Sequence, residues 1–150
     1  DLVNYSDIDQ KAEMLFFIAM RREHFAKIIN PALKQDKIVI CDRFIDSTLA
    51  YQGYGYGIDL EFIKNANLFA IDSRMPDITI VIDSNISSIR NSAQINKYER
   101  MGSDFYQKVR DGFVKIATQN TDRCLLIEKR KTILDTSAYI VKLLESKLEY

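Results

Sequence analysis

The sequence contains little that would favour a nucleic acid or a membrane as its partner. Its 21 basic and 21 acidic side chains cancel, so no overall field attracts a polyanion or an anionic bilayer. No apolar run approaches the roughly 18 residues that a membrane span requires, and the sequence shows no basic, apolar leader of the secretory type. We therefore expect a cytoplasmic protein that binds neither nucleic acid nor a membrane.

Cysteine and histidine are too few, and too isolated, to predict a metal site or a disulfide framework. The two cysteines, Cys41 and Cys124, each fall in a short apolar run. The single histidine, His24, has no other metal-binding side chain at a suitable spacing. We expect two free thiols in the core of a protein from a reducing compartment, with a disulfide as the alternative.

Glycine is also scarce, with five residues at positions 53, 55, 57, 102 and 112. Their spacing excludes the pattern G-x-x-x-x-G-K-[ST], the loop that cradles nucleotide phosphates, from these 150 residues. The three glycines at positions 53, 55 and 57 most simply permit tight turns, and they do not form a dinucleotide-binding fingerprint.

What the sequence does contain is an alternation of apolar runs with amphipathic segments. Apolar runs predict strands over residues 38–41, 78–82 and 124–127, and helical periodicity predicts helices over residues 13–29, 59–71, 103–118 and 134–148. Strands that alternate with helices indicate an α/β fold with a parallel sheet. With 150 residues, 47% of them apolar, the chain is long enough for one core, and we expect one domain.

Local signals refine the two terminal helices of this prediction. Ser6 or Asp7 is a candidate cap for the first helix, which is expected to end at Asn30-Pro31. The last helix is expected to carry Ala138, Val141, Leu144 and Leu148 on one side.

The densest group of polar and glycine residues follows the first predicted strand, in residues 38–57. Asp42 and Arg43 come directly after the apolar run, and ligands bind at the carboxyl ends of strands in open α/β sheets. Arg43 suits a phosphate monoester, because its planar guanidinium binds two oxygens and keeps its charge. Asp46 is either a partner of Arg43 or a cap of the loop, and the sequence does not decide between them.

Phe17 and Arg21 lie four residues apart, so on a helix they share one face. An aromatic ring can cover a flat pyrimidine while a guanidinium donates to a carbonyl oxygen on its edge. Spacing alone favours the alternative, in which Phe17 belongs to the core and Arg21 is solvated or ion-paired.

Several blocks, in their order along the chain, resemble the thymidylate kinase family. The upstream block is E-M-L-F-F-I-A-M-R at residues 13–21, and the downstream block is D-R-F at residues 42–44, followed by Ser47 and by A-Y-Q-G at residues 50–53. The resemblance runs from about residue 13 to the carboxyl terminus and is strongest over residues 13–59.

The resemblance implies a P-loop NTPase-like fold of the nucleoside monophosphate kinase type, with three α/β/α layers around a parallel sheet. The phosphate-binding loop of such enzymes follows a first strand, and residues 1–150 contain no such unit. We therefore expect these residues to be the later part of a longer enzyme. They would form a single domain that lacks its first strand and P-loop, with the mobile lid at about residues 84–104.

The resemblance also implies an activity, the Mg²⁺-dependent transfer of the γ-phosphoryl group of ATP to dTMP. The products are dTDP and ADP, and the reaction belongs to dTTP biosynthesis. The family leads us to expect a homodimer, and the 150 residues alone are expected to be inactive because the donor phosphates lack their cradle. The alternatives are another nucleoside or nucleotide kinase of the same fold and, in a different class, a non-catalytic nucleotide-binding module.

By the same resemblance, residues of both blocks bind dTMP. Phe17 stacks on the thymine, Arg21 contacts the base, and Arg43 is catalytic and holds the acceptor phosphate. The nucleoside pocket is completed by Ser47, Tyr51 and Gln52.

Two of these assignments have open alternatives. The ring of Tyr51 is expected to lie beneath the sugar and to disfavour a ribose 2′-hydroxyl, but it could simply be a packed tyrosine. Asp42 is expected to act in catalysis by arranging Mg²⁺ or by orienting Arg43, and the alternative is a structural carboxylate that caps the loop.

The remaining assignments fall on the lid and on the last loop. The block N-K-Y-E at residues 96–99 resembles a D-R-aromatic-E block of the family. Arg90 is expected to be a catalytic lid cation that contacts ATP, and Glu99 to contact the sugar of dTMP. Lys129 and Arg130 would border the adenine of ATP, largely through their backbone.

Overall fold

The computed structural model describes residues 8–84 and 101–148. In chain order its elements are α1 (Gln10–His24), a π-helical turn π1 (Phe25–Ile29), α2 (Asn30–Leu33), α3 (Ile45–Thr48), a second π-helical segment π2 (Leu49–Gly55), α4 (Leu60–Ala70), β1 (Thr79–Asp83), α5 (Gly102–Gln119), β2 (Cys124–Glu128) and α6 (Ile133–Leu148).

The first helical run begins at Gln10, before the predicted residue 13, and it ends later than its sequence signals predict. The candidate caps Ser6 and Asp7 lie outside the described residues. Asp9 caps α1, because its carboxylate accepts hydrogen bonds from the backbone N–H groups of Lys11 and Ala12. At the other end, the chain stays helical through Asn30-Pro31 and reaches Leu33. Pro31 is tolerated because it occupies the first turn of α2, where a missing N–H costs little.

Two of the three predicted strands form the sheet. Strands β1 and β2 pair in parallel, with Thr79 opposite Cys124 and Asp83 opposite Glu128. Helix α5 packs on both strands and on π2. The approach of α5 to π2 is close, since a Cβ on Gly112 would lie 2.7 Å from the ring of Tyr54. Gly112 therefore brings the strand-covering helix against the segment that contains Tyr51 and Gln52.

The prediction of a strand over residues 38–41 is wrong. These residues have no strand assignment, and the side chains of Ile38 and Ile40 are 73% and 93% exposed. A strand exists only where a neighbouring backbone supplies hydrogen-bond partners. Within residues 8–84 and 101–148 no segment pairs with residues 38–41, so the apolar pattern alone does not produce a strand.

The core lies between the helices and on the inner face of the sheet. Met14 and Ile18 of α1 pack against Ile63 and Ala70 of α4. A second cluster joins Ala50 of π2 to the buried face of α5, which is formed by Phe105, Val109 and Ile116. The elements that contain the predicted site residues are therefore held by α4 and α5.

The last helix forms where it was predicted, and the described part of its apolar side is mostly exposed. Ala138 and Val141 are exposed, and Leu144 is half-buried. In the described part of α6, Thr136 is the buried side chain. No other described element packs closely along this helix. Amphipathic periodicity predicts an apolar face but cannot supply the surface that covers it.

Cys41 and Cys124 are both free thiols, as predicted, and burial raises the pKa of each. No helix in the described ranges combines the length and the apolar character needed to cross a bilayer.

Candidate active site

Arg21 contacts two other parts of the described chain through its guanidinium. Its guanidinium donates hydrogen bonds to the side-chain carbonyl of Asn67, to the Phe44 carbonyl at 3.0 Å and to Thr48 Oγ1 at 3.0 Å. It also lies over the Phe44 ring, with Cζ 5.3 Å from the ring centroid. Burial lowers the pKa of Arg21 to about 10, so the side chain keeps its charge at neutral pH.

The contacts of Arg21 are of a kind that neither interpretation of the Phe17–Arg21 pair predicted. Phe17 is partly exposed on α1, one turn before Arg21. Arg21 is neither fully solvated nor ion-paired to a carboxylate of the described residues. Instead, it bridges α1, α4 and the segment around α3 through neutral acceptors.

Arg43 stands in an unusual backbone conformation. Its φ angle is 57°, in the left-handed region that costs a non-glycine residue about 1–2 kcal/mol. The side chain is exposed, and its Cζ lies 5.2 Å from the ring centroid of Tyr51. A strained residue whose charge lies over an aromatic ring at a cavity is a candidate functional residue.

Tyr51 also packs into the interior. Its ring centroid lies 6.3 Å from that of Phe105 and 6.1 Å from that of Phe113, both on α5. These are tilted and edge-on arrangements of the kind that aromatic pairs prefer. The ring is therefore fixed from the side of α5, and it also contacts the guanidinium of Arg43.

A cavity of about 770 Å³ lies between residues 38–44, strand β1 and helix α5. Its lining combines four residues that the sequence predicted with two that it missed, namely Asp42, Arg43, Ser47 and Tyr51 with Asp83 and Arg110. Phe17, Arg21 and Gln52 do not line this cavity. The cavity thus brings together Arg43, Ser47 and Tyr51 of the predicted acceptor pocket, and the other described members of that pocket lie outside it.

The two missed residues form an ion pair at the carboxyl end of β1. The guanidinium of Arg110 binds both carboxylate oxygens of Asp83, with Nε and Nη2 at 2.6 and 2.7 Å. This hydrogen-bonded pairing with Asp83 raises the pKa of Arg110. The position of Asp83 at the end of a predicted strand was the signal that could have identified it.

Gln52 lies in the interior and has a polar partner there. It is almost fully buried, and its side-chain amide donates to Glu13 Oε1 at 3.0 Å. Glu13 is itself buried on α1, so this bond ties α1 to π2. Tyr56 also feels the charge of Glu13, and burial together with that charge raises the pKa of Tyr56 to about 12.

Asp46 has a clear partner, and that partner is not Arg43. The guanidinium of Arg123, directly before β2, binds both oxygens of Asp46 at 2.8 Å, and Thr79 Oγ1 donates to Asp46 Oδ2 at 3.3 Å. Thr79 and Arg123 stand at the amino ends of the two strands. The segment between Arg43 and Ser47 is therefore anchored to the sheet by a buried ion pair.

The residues predicted to border ATP directly follow strand β2. The backbone N–H of Lys129 donates to the Asp83 carbonyl at 2.9 Å, which places it at the carboxyl end of β1. Arg130 lies over the ring of Tyr139 on α6, with Cζ 4.3 Å from the centroid. Arg90, Glu99 and most of the predicted lid lie outside the described residues.

No three acidic, histidine or cysteine side chains of the described ranges converge on a point where they could hold a metal ion. Asp42, the predicted magnesium ligand, is exposed at the cavity next to Arg43.

Comparisons with known proteins identify the same family as the motifs. A family model described as thymidylate kinase matches residues 2–140. A thymidylate kinase of Ehrlichia ruminantium (strain Gardel) is 50% identical over 144 residues, covering 94% of this chain and 71% of that protein. A thymidylate kinase of Wolbachia pipientis wMel is 47% identical over 135 residues, covering 89% of this chain and 68% of that protein.

A solved structure gives the same result for the fold. The crystal structure of thymidylate kinase from Ehrlichia chaffeensis superposes with a TM-score of 0.76 at 48% identity, covering 92% of this chain and 67% of that chain. The prediction of a P-loop NTPase-like α/β fold is confirmed. The chain spans about two thirds of the length of that structure.

Proposed function

The chain belongs to the thymidylate kinase family, and from this premise we propose that the protein transfers the γ-phosphoryl group of ATP to dTMP. A phosphate oxygen of dTMP attacks the γ-phosphorus, a new oxygen–phosphorus bond forms, and the bond to the bridging oxygen of ADP breaks. Such a reaction needs positioning and neutralisation of charge more than covalent help from the protein. Its products are dTDP and ADP.

The observation that supports this proposal best is the placement of Arg43. Its exposed guanidinium stands over Tyr51 at the mouth of a cavity that is also lined by Ser47 and Asp42. A doubly charged phosphate bound against Arg43 would have the sugar of the same nucleotide within reach of the Tyr51 ring. Arg21, with Phe17 one turn away, supplies donors for the edge of the base.

Asp42 fits the role of a magnesium ligand. Mg²⁺ in such sites is held by one or two carboxylates, phosphate oxygens and waters, and not by a cage of protein ligands. An exposed carboxylate beside the phosphate-binding arginine meets that requirement. When bound, the ion would neutralise charge on the oxygens of the transferring group. Lys129 and Arg130 would border the adenine of ATP. Arg90 would be the catalytic lid cation that contacts ATP, and Glu99 would contact the sugar of dTMP.

The test of the proposal is a coupled kinase assay on the full-length protein with ATP and Mg²⁺. We expect dTMP to be phosphorylated with a higher kcat/KM than dUMP and dCMP. Equal rates for the three acceptors would reject the pocket assignment, and no turnover of any of them would reject the proposed activity.

Tyr51 offers a test of sugar recognition. We expect Tyr51→Ala to relax the preference for dTMP over the ribonucleotide that carries thymine, because the bulk beneath the sugar is removed. Tyr51→Phe should keep the preference, since the ring and its packing on Phe105 and Phe113 remain. The measurement is the ratio of kcat/KM for the two acceptors. An unchanged ratio in the alanine variant would mean that Tyr51 only packs.

We also propose that the protein is a homodimer in the cytoplasm. Exposed apolar side chains occur on both α1 and α4, which pack against each other, and they include Leu15, Phe16, Met20, Phe62 and Phe69. Phe69 is 84% exposed, and apolar surface of this kind marks protein interfaces.

A charge on this surface should therefore weaken the dimer. We expect Phe69→Glu to shift the mass measured by light scattering from dimer to monomer, because a carboxylate would be desolvated at the interface. Lys64→Glu, at an exposed position of the same helix, should leave the mass unchanged. A dimer that survives the Phe69 substitution would exclude this surface.

A further inference from the structure

Asn67 is a buried amide whose orientation is fixed. It lies on α4 with no exposed surface, and its Nδ2 donates to the Ile63 carbonyl one turn earlier at 2.8 Å. Because the nitrogen side of the amide is engaged by its own helix, the oxygen side must point away from the helix. There it accepts the hydrogen bond from Nη1 of Arg21.

The contacts of Arg21 leave part of its guanidinium available. Of the five N–H donors of an arginine, three are used by Asn67, Thr48 and the Phe44 carbonyl. One donor on Nη1 and the donor on Nε have no hydrogen-bond acceptor among the described residues. The hydrogen bond from Nη1 to Asn67 therefore fixes the plane of the guanidinium. The two remaining donors lie in that plane and are left for a ligand.

The three acceptors that hold the Arg21 guanidinium are all uncharged. A carboxylate at position 67 would cancel the charge of Arg21 and compete with a ligand for its donors. An amide oxygen, a hydroxyl and a backbone carbonyl hold the side chain without cancelling its charge. A charged donor held in this way binds a carbonyl oxygen more strongly than a neutral donor does.

We propose that Asn67 is a positioning residue for base recognition, which sets Arg21 to donate to the carbonyl oxygen on the edge of thymine. The inference rests on the proposed function. Cytosine has an amino group where thymine has that carbonyl, so a correctly placed guanidinium meets an acceptor in one base and a donor in the other. Asn67 would thus contribute to selection of dTMP over dCMP without touching the nucleotide.

The test compares Asn67→Ala with Asn65→Ala in the full-length protein. Both residues are asparagines of α4, but Asn65 is exposed and makes no contact with Arg21. A hydrogen bond to a charged group contributes enough free energy that its loss in Asn67→Ala should raise the KM for dTMP about ten- to a hundredfold. The KM for ATP should stay within about twofold of the wild-type value. The ratio of kcat/KM for dTMP to that for dCMP should fall as the KM for dTMP rises. Asn65→Ala should match the wild type.

A second variant and a binding measurement keep the inference testable if Asn67→Ala folds poorly. Thr48→Val preserves shape and removes the other side-chain acceptor of Arg21, so it should lower the dTMP preference in the same direction and by less. Calorimetric titration of dTMP without ATP should show the loss of affinity directly. If the KM values of both substrates rise together, or if the dTMP preference is unchanged in both variants, Asn67 is only structural and the inference is wrong.

Failure of this inference is distinguishable from failure of the proposed function. Arg21→Ala should abolish the preference for dTMP whatever the role of Asn67. If Arg21→Ala loses the preference and the Asn67 and Thr48 variants keep it, only the positioning role is overturned. If Arg21→Ala keeps it, the proposed base contact itself is wrong.

Discussion

Replacing Arg43 with alanine is expected to lower kcat/KM of the full-length enzyme for dTMP about 10²- to 10³-fold, the usual effect of removing one preorganised charge-stabilising donor. The guanidinium stands at the mouth of the cavity, and no carboxylate of the described residues neutralises it. Its removal leaves the charge of the acceptor phosphate uncompensated as the phosphoryl group is transferred. Steady-state kinetics with both substrates varied would measure the loss.

Three variants separate the charge of Arg43 from its backbone and from nonspecific effects. Arg43→Gly relieves the left-handed φ of 57° but removes the same guanidinium, so it should be as inactive as the alanine variant. Arg43→Lys keeps a charge without the planar fork and should recover only part of the activity. Lys34→Ala removes an exposed cation that does not line the cavity, and it should leave the kinetics unchanged. Near-wild-type activity of Arg43→Ala would reject the proposed role.

Breaking the Asp46–Arg123 pair is expected to destabilise the fold by about 3–5 kcal/mol, because the remaining partner is left as an uncompensated buried charge. The two side chains are only 6% and 12% exposed, and both carboxylate oxygens are engaged at 2.8 Å. We expect Asp46→Asn to show this loss in the free energy of unfolding measured by urea titration.

An exposed aspartate provides the matched control for that measurement. Asp72 pairs with Arg22 at 2.7 Å, but the two side chains are 58% and 45% exposed. Asp72→Asn should therefore cost about 0–1 kcal/mol, as exposed ion pairs do. Joint replacement of Asp46 by leucine and Arg123 by methionine should be less destabilising than either single change, since no charge is then left buried. Equal effects of Asp46→Asn and Asp72→Asn would mean that burial adds nothing to the first pair.

The sequence predicted the local features of the site well. It predicted poorly which residues, distant along the chain, would be hydrogen-bond partners of the site residues. Helical spacing placed Phe17 and Arg21 one turn apart on α1, and the apolar runs at residues 78–82 and 124–127 located both strands of the sheet within two residues. The acceptors of Arg21, however, lie 27 and 46 residues further along the chain, at Thr48 and Asn67. No periodic pattern reports such contacts, because they depend on how helices pack.

The differences between prediction and structure have the same physical origin. Residues 38–41 have the composition of a buried strand, but pairing depends on a neighbour that the composition does not specify. The face of α6 was predicted from its period, which fixes a direction and not a partner. The π-helical segments went unpredicted because a hydrophobic period does not reveal a change in hydrogen-bond register between neighbouring turns.

The bond between Asp46 and Arg123 joins residues 77 positions apart, and this separation affects the time course of folding. The chain between them must close a long loop before their charges can meet, and that entropic cost precedes any gain from the contact. Contacts that form after the folding transition state leave the folding rate nearly unchanged and slow the unfolding rate. We therefore expect the pair to act chiefly on the lifetime of the native state, and the α1–α4 contacts, which are nearer in sequence, to act more on how quickly that state is reached.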